Sequence, residues 1–363
     1  MSKIALAIHG GAGTILRSAM TPELEAEYRS GLETALRAGW EILDRGGPAM
    51  DAVETAVVCL EDFPLFNAGR GSVFTHDGKN EMDAAIMDGS SLRAGAVAFV
   101  RNVKNPIKVA RLVMGHTEHI LLAGEGANQF ATQMGVEMAD DAYFFTEHRY
   151  EQLLRAREEG TIQLDHTAEE QQIIEDAVVN PPAGVLSTAE TLAGVNTGKV
   201  SSPQVSKGPE GNGRNGDSPE TADTKNPKPL GTVGAVACDS SGRLAAATST
   251  GGMTNKKFGR IGDSSLIGLG TYADDTCAVS CTGHGEYFML GVTAFDVAAR
   301  MKYKNISLED AANETIARLT SIGGEGGLIA VDTYGNFVLP FNSDGMYRGC
   351  VGADGAVQVD IYK

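Results

Sequence analysis

The sequence of 363 residues is poor in cysteine and in aromatic side chains. Its five cysteines are few for this length and odd in number, and the spacing of Cys277 and Cys281 matches no zinc or redox motif. Most of them lie in apolar runs, where a buried free thiol is expected. Aromatic residues make up only 6% of the chain, yet 42% of its residues are hydrophobic, which is enough for a substantial core. The composition therefore predicts a globular protein.

Positive charge and long apolar runs are also scarce. Thirty Lys and Arg face 47 Asp and Glu, and the net charge of −17 repels nucleic-acid phosphates and anionic lipid surfaces. The first apolar run, residues 4–8, is too short for a signal-peptide core or a membrane span. We therefore expect a cytoplasmic protein with no nucleic-acid partner and no membrane association.

Several common catalytic motifs are missing or out of context. No GxSxG motif occurs, so the chain offers no nucleophile of the usual α/β-hydrolase type. The stretch GNGRNG at 211–216 has the glycine spacing of a dinucleotide fingerprint, but it lacks the preceding strand and the following helix. His116 and His119 have no third ligand nearby, so ordinary surface histidines are expected there rather than a metal site.

The periodicity of apolar residues predicts a mixed α+β protein. Strands are predicted at 4–11, 84–88, 94–101, 232–239, 243–250, 277–283 and as a pair within 326–341. Helices are predicted at 22–45, 49–63, in several pieces between 106 and 178, at 285–302 and at 307–320. The two groups of elements flank a long linker, and neither looks complete alone. We therefore expect one α+β core with helices on its outer faces.

The linker covers residues 181–231 and has a different composition from the rest of the chain. It contains no aromatic residue, few apolar residues beyond its first third, and many Gly, Ser and Pro. Such a segment cannot form a core, so a flexible linker is predicted. Regular structure resumes abruptly at Thr232.

Thr232 opens a predicted hairpin whose turn lies at residues 239–242. With that turn, Thr232 stands opposite Ser249 and diagonal to Thr248 and Thr250, which gathers hydroxyl groups at one strand end. Hydroxyl residues are common in sheets, but Thr232 also marks the junction of linker and strand. Cleavage of the Gly231–Thr232 bond there exposes an α-amine with a pKa of about 7.7 to 8.0. That amine can act as the base for the hydroxyl of the same residue.

Two further stretches offer groups that complete a site. Residues 282–286, TGHGE, end a strand and open a helix, where free backbone N–H groups can stabilise a developing negative charge. Arg260 and Asp263 supply one cation and one anion in a glycine-rich loop. Such a pair suits the carboxylate and the ammonium of an amino acid.

The blocks AIHGGAG, LEDFPLFNAGRGSVF, GTVGAVA, TSTGGMTNK, GRIGDS and CTGHGE, in this order, resemble the plant-type asparaginase branch of the N-terminal-nucleophile hydrolases. The resemblance covers nearly the whole chain except the linker. It implies a four-layer αββα sandwich, formed as a precursor that cuts itself into an α subunit (1–231) and a β subunit (232–363). It further implies an (αβ)2 heterotetramer that hydrolyses β-aspartyl dipeptides and L-asparagine.

The resemblance also implies roles for particular residues. Thr232 is then the nucleophile, and Thr250 positions it. Arg260 and Asp263 hold the substrate, with Gly283 and Gly285 beside them, while Thr282 and Gly283 form the oxyanion hole. Asn67 lies near the nucleophile and assists self-cleavage or the oxyanion. Catalysis needs no cofactor, and a structural sodium ion is expected in a loop that includes Leu60, Glu61, Phe63 and Phe66.

Three other readings stay open at this point. A glycosylasparaginase usually has Asp before its nucleophile, where this chain has Gly231, and lacks an HGGAG start. A threonine endopeptidase is a more distant enzyme alternative, and a non-cleaving binding module is an alternative from another class. The sequence does not decide between β-aspartyl dipeptides and asparagine, because both present the same aspartyl half.

Overall fold

The computed structural model describes residues 4–162 and 231–363. The predicted linker, except for Gly231, and the helical pieces predicted beyond residue 162 lie outside the described residues. Within the described ranges, no helix is both long and apolar enough to cross a membrane. The mixed α+β composition predicted from the sequence is confirmed there.

The described part of the chain contains twelve strands. In chain order they are β1 (Ala5–Gly13), β2 (Met82–Asp88), β3 (Arg93–Val100), β4 (Leu121–Ala123), β5 (Val233–Cys238), β6 (Leu244–Thr250), β7 (Thr271–Ala273), β8 (Cys277–Gly283), β9 (Gly326–Asp332), β10 (Phe337–Val338), β11 (Gly345–Val351) and β12 (Val357–Tyr362). They form an eight-stranded sheet of order β12-β11-β1-β5-β6-β2-β3-β4 and a four-stranded sheet of order β10-β9-β8-β7. All neighbours pair antiparallel except β3 and β4, which are parallel.

Nine α-helices accompany these strands in the described ranges. They are α1 (Pro22–Asp44), α2 (Ala49–Asp62), α3 (Pro106–His116), α4 (Gly124–Gln133), α5 (Asp141–Phe144), α6 (Glu147–Glu158), α7 (Gly285–Gly291), α8 (Thr293–Lys304) and α9 (Leu308–Ser321). The Thr21 hydroxyl accepts the N–H of Leu24 at the start of α1, and the Ser307 hydroxyl accepts the N–H of Asp310 at the start of α9. Each hydroxyl thus satisfies a backbone N–H that has no partner within the first turn of its helix.

Three apolar clusters hold these elements together. The first lies between helices α1 to α3 and one face of the large sheet, and includes Leu36 and Ile86. The second lies between the two sheets and is built mainly of small residues such as Ala246 and Ala278. The third lies between the small sheet and helices α7 to α9, and includes Phe288. Strands such as β5 and β8 are therefore buried on both faces, which explains why they read as continuous apolar runs rather than alternating ones.

The predicted helix over 285–302 is wrong in one respect, because the chain breaks it at Val292. This residue adopts a left-handed conformation with φ of 50° and separates α7 from α8. The N–H groups of Ala294 and Phe295 donate to the carbonyls of Leu269 and Gly268, at 3.0 and 2.9 Å, instead of to the preceding turn. A tertiary contact thus overrides the local periodicity. The short strands β4 and β7, the interior strand β11 and the edge strand β12 were not predicted.

The predicted register of the β5–β6 hairpin is also wrong, by one residue. Val233 pairs with Ser249 and Gly234 with Thr248, so the pairing continues toward Thr232 opposite Thr250 rather than opposite Ser249. The loop has three residues instead of two, because Gly242 adopts a φ of 75° and donates its N–H to the Asp239 carbonyl at 2.8 Å. A shift of one residue in the pairing changes which face of the sheet a side chain occupies. In the observed pairing, Thr248 and Thr250 both lie on the face toward the small sheet.

Candidate active site

A pocket opens where strands β5, β6 and β8 meet the irregular segment 251–270. It is lined by Ala12, Asn67, Gly231, Thr232, Thr250, Gly252, Met253, Arg260, Gly262, Asp263, Ser264, Gly283, His284 and Gly285. Eight of the site residues proposed from the sequence are among them, although they come from distant parts of the chain. Of that proposed set, Thr282 lies directly beside the lining on β8, and the four residues of the proposed sodium loop lie elsewhere.

Thr232 is held with its hydroxyl against other hydroxyls. Its Oγ1 donates to Oγ1 of Thr250 at 3.1 Å and lies 3.5 Å from Oγ of Ser264. Thr250 in turn accepts the N–H of Gly252 at 2.9 Å, which fixes the orientation of its side chain. Thr232 is 8% exposed, so the hydroxyl faces the pocket rather than bulk water. Among the described residues, the hydrogen-bonding neighbours of this hydroxyl are the uncharged Thr250 and Ser264, which give it a defined direction.

Gly231 occupies a conformation and a space that require glycine. Its φ is 105°, a region that other residues rarely adopt. A Cβ atom built on it would lie 2.2 Å from Cα of Gly11, which belongs to the strand β1 backbone and cannot move aside easily. The aspartate expected at this position in a glycosylasparaginase therefore has no room here.

Arg260 makes a two-pronged ion pair at the rim of the pocket. Its Nε and Nη2 donate to the two carboxylate oxygens of Glu286, both at 2.9 Å. Burial opposes ionisation of Glu286, but the hydrogen bonds and charge of Arg260 more than offset it, so the pKa of Glu286 lies below its usual value. A substrate carboxylate that takes both prongs of this fork has to displace Glu286.

Asp263 is the buried carboxylate of the pocket. Burial raises its pKa to about 7, although the nearby Arg260 charge acts in the opposite direction. Its Oδ2 has no hydrogen-bond partner among the described residues. A Cβ built on Gly285 would lie 2.8 Å from Asp263 Oδ1 and 2.9 Å from Arg260 Nη2. The glycine thus keeps open a recess beside both charged groups, which suits a small zwitterion.

The predicted oxyanion residues lie at the end of β8. Oγ1 of Thr282 accepts the N–H of Ala12 at 3.2 Å, which leaves the proton of this hydroxyl for donation. Gly283 has a φ of 147° and packs against the carbonyl of Glu325, to which His284 donates its N–H at 3.0 Å. The N–H of His284 is therefore committed to the fold, and the predicted donation by Thr282 and Gly283 to an oxyanion stays a prediction.

Asn67 connects two loops below the pocket. Its Nδ2 donates to the Gly252 carbonyl at 2.8 Å, and its Oδ1 accepts the N–H of Val73 at 3.0 Å. The Asn67 carbonyl also accepts the N–H of Gly251 at 3.0 Å. These contacts fix the backbone that follows Thr250, so Asn67 has a clear structural task there. Its proposed part in self-cleavage stays a prediction.

The proposed sodium loop lies at the end of α2. The Leu60 carbonyl accepts the N–H of Phe63, and the Phe63 carbonyl accepts the N–H of Phe66, both at 3.3 Å. Each carbonyl has a second lone pair, so these oxygens fit a hard cation that prefers oxygen ligands. No group of three or more His, Cys, Asp or Glu in the described residues could hold a metal ion. The sodium ion, which the resemblance assigns to backbone carbonyls, stays a prediction.

Sequence reasoning missed several groups around Thr232. Ser264 follows Asp263 in the GRIGDS block, and Glu286 ends the CTGHGE block. Both residues belong to recognised motifs, but nothing in their residue type or spacing predicted a role in the site. His9 is buried, and its Nδ1 lies 2.9 Å from the Thr232 carbonyl. Only the folded chain brings these residues together, because His9 and Thr232 are 223 positions apart.

Comparison with known proteins agrees with this geometry. The sequence signature of a family described as asparaginase matches residues 2–361. The chain belongs to the asparaginase family. It is 43% identical to an isoaspartyl peptidase of Salmonella typhimurium, with all of both chains covered, and 42% identical to an isoaspartyl peptidase of Escherichia coli, with 100% and 97% covered. It is also 39% identical to a plant-type L-asparaginase of Pyrococcus furiosus, over 92% of this chain and 91% of that protein.

Proposed function

We propose that this member of the asparaginase family is a self-cleaving hydrolase that acts on β-aspartyl dipeptides and L-asparagine. Enzymes of both kinds are among its full-length relatives. The observation that carries the proposal is the Thr232 hydroxyl, which points at Thr250 inside a pocket that also contains Arg260 and Asp263. The same pocket thus holds one nucleophilic hydroxyl and the two charges that an amino acid requires.

Self-cleavage begins with attack of Thr232 Oγ1 on the carbonyl carbon of Gly231. The C–N bond breaks as the acyl group moves to oxygen, and water then hydrolyses the ester. The products are a carboxylate on Gly231 and a free α-amine on Thr232, which define an α subunit ending at 231 and a β subunit from 232 to 363. The left-handed φ of Gly231 and its close approach to Gly11 support this site, because they require glycine directly before Thr232.

Hydrolysis of substrate uses the same hydroxyl with the new amine as its base. The amine has a pKa of about 7.7 to 8.0, so it can take the hydroxyl proton near neutral pH. Thr232 then attacks the side-chain amide carbonyl of the aspartyl group, the leaving amine departs with a proton, and water releases aspartate. Thr282 and Gly283 stabilise the oxyanion, while Arg260 and Asp263 hold the α-carboxylate and the α-ammonium.

Architecture and assembly follow from the same proposal. The three apolar clusters, taken in order through the molecule, support a four-layer αββα sandwich of the N-terminal-nucleophile type. We further propose an (αβ)2 heterotetramer, a cytoplasmic location and a structural sodium ion held by carbonyls of the loop from Leu60 to Phe66. Chromatographic mass measurement of the cleaved protein tests the assembly, since an αβ pair alone contradicts it.

The function is tested with two substitutions at Thr232. Thr232→Ala should remain one chain and be inactive, whereas Thr232→Ser should still cleave and turn over slowly, because serine keeps the hydroxyl and the amine. Release of aspartate from a β-aspartyl dipeptide and from asparagine measures both activities and decides the preference between them. Full activity of Thr232→Ala on either substrate would remove Thr232 from the mechanism.

A further inference from the structure

The carbonyl of Thr232 lies just beyond the last backbone pair between β1 and β5. That pairing ends with His9 opposite Gly234. A buried backbone carbonyl needs a hydrogen-bond donor. The side chain of His9 lies next to this carbonyl, with its Nδ1 2.9 Å from the Thr232 carbonyl oxygen.

The protonation of His9 follows from its surroundings. A carbonyl oxygen can only accept, so Nδ1 carries the proton. Burial lowers the pKa of His9 to about 3, although the contact with Thr232 acts in the opposite direction, so the ring is neutral. The other nitrogen, Nε2, then has a lone pair, and it accepts the hydroxyl proton of Ser280 at 2.8 Å. The neutral ring therefore has a single orientation in which both nitrogens are satisfied.

A chain of buried hydroxyls extends from Ser280. Its Oγ lies 2.7 Å from Oγ1 of Thr248, which accepts from Oγ1 of Thr271 at 2.6 Å. Each hydroxyl has one proton, so the donation runs from Thr271 through Thr248 and Ser280 to His9. Oγ1 of Thr271 also lies 3.0 Å from the carbonyl of Ser264, which competes with Thr248 for its one proton.

Gly234 provides the space for this arrangement. A Cβ built on it would lie 2.0 Å from Oγ of Ser280 and 2.4 Å from Nε2 of His9. Any side chain at position 234 would force the imidazole or the hydroxyl away. The lack of a side chain at Gly234 in strand β5 therefore provides the space that His9 occupies beneath Thr232.

We propose that His9 is a positioning residue that holds Thr232 in its reactive orientation through the Thr232 carbonyl. The inference rests on the proposed function, in which Thr232 is the nucleophile. Cleavage removes the covalent link from Thr232 to Gly231, so the first residue of the β subunit keeps only its links toward β5. The hydrogen bond from His9 then limits rotation of Thr232 and keeps its hydroxyl directed at Thr250.

Two substitutions of His9 separate this role from simple filling of space. In His9→Asn the side-chain amide can stand where Nδ1 stands and still donate to Thr232. In His9→Gln the amide reaches the place of Nε2 and meets Ser280 instead. We expect His9→Gln to lower kcat on a β-aspartyl dipeptide about tenfold or more with KM changed less than about twofold, and His9→Asn to recover most of kcat.

The control is His116→Gln, the same change at an exposed position on α3, which should leave kcat and KM unaltered. Wild-type kcat in His9→Gln, or equal losses in His9→Asn and His9→Gln, would overturn the inference. If neither His9 variant folds, Ser280→Ala decides, because a kcat equal to wild type there would also overturn it. An inactive wild-type protein or an active Thr232→Ala would instead refute the proposed function, so the two failures are distinguishable.

Discussion

The two halves of the pocket differ in charge and in backbone. The nucleophile half consists of hydroxyls and a neutral imidazole on strands β1, β5 and β6, with Thr232 and Thr250 at its centre. The other half carries Arg260 and Asp263 on the irregular segment between β6 and β7. In the proposed function, bond cleavage takes place in the neutral half and substrate recognition in the charged half. Substitutions in one half should therefore leave the task of the other largely intact.

The largest expected effect is loss of self-cleavage in Gly231→Ala. The added methyl group meets the Gly11 backbone and the φ of 105° is unfavourable for alanine, so the bond before Thr232 moves away from its hydroxyl. A denaturing gel should show one band instead of two. Gly46→Ala is the matched control, because Gly46 has a φ of 79° and no atom near a built Cβ. Normal cleavage in Gly231→Ala would contradict the steric argument.

The next effect is loss of substrate recognition in Asp263→Asn. Removal of the buried negative charge weakens the contact with the substrate ammonium, and kcat/KM for a β-aspartyl dipeptide should fall on the order of 100-fold. Self-cleavage involves no free amino acid and should still yield two fragments. A variant that fails to cleave itself would break the proposed separation of the two halves.

A smaller loss is expected for Arg260→Lys. Lysine keeps the charge but cannot form the two-pronged contact, so binding should weaken by about 1.5 to 3 kcal/mol if one charge-assisted hydrogen bond is lost. The measurement is KM for the dipeptide and for asparagine, together with a gel that should show both fragments. Wild-type kinetics on both substrates would place the carboxylate contact elsewhere.

A further effect concerns the stability of the fold and its dependence on pH. In the folded chain Asp263 has a pKa of about 7, above the value of about 3.9 in the unfolded chain. The resulting contribution to the free energy of unfolding is fully present below pH about 4 and is lost as pH rises through 7. Asparagine at this position stays neutral at every pH. The melting temperature of Asp263→Asn minus that of wild type should therefore increase from pH 4 to pH 8. A difference that shrinks as pH rises would contradict the assignment.

Glu61 provides a comparison for that experiment. Burial raises its pKa to about 8, while hydrogen bonds from Ser249 and Ile107 act in the opposite direction. It faces α3 on the other side of the large sheet and lies outside the pocket. The melting temperature of Glu61→Gln minus that of wild type should also increase with pH, whereas KM should not change. Burial and a shifted pKa therefore do not by themselves identify a binding residue.

Much of the nucleophile half could be predicted from the sequence, because local patterns determine it. The strands on either side of residues 239–242 and the abrupt end of the linker were enough to select Thr232. The register was off by one residue because the left-handed Gly242 lengthens the loop, which the residue types alone do not reveal. The same limit explains the break at Val292, where the deciding carbonyls belong to Gly268 and Leu269.

Other parts of the site could not be predicted, because their partners are far apart in the chain. The contact between His9 and Ser280 spans 271 positions, and the fork of Arg260 meets a glutamate on the next helix. No periodicity or motif spacing encodes such distances. The sequence supplied the right residue types, and the sheet pairing decides which of them meet.

The proposed self-cleavage is tested most directly by determining where the chain is cut. Fresh protein should be purified in the presence of protease inhibitors, and the intact mass and the first residues of its smaller fragment should be determined. Self-cleavage at the Gly231–Thr232 bond should give a fragment that begins TVGAV and extends from Thr232 to Lys363, formed without any added protease. A smaller fragment that begins at any other residue, or a fully active protein that remains a single chain, would contradict it.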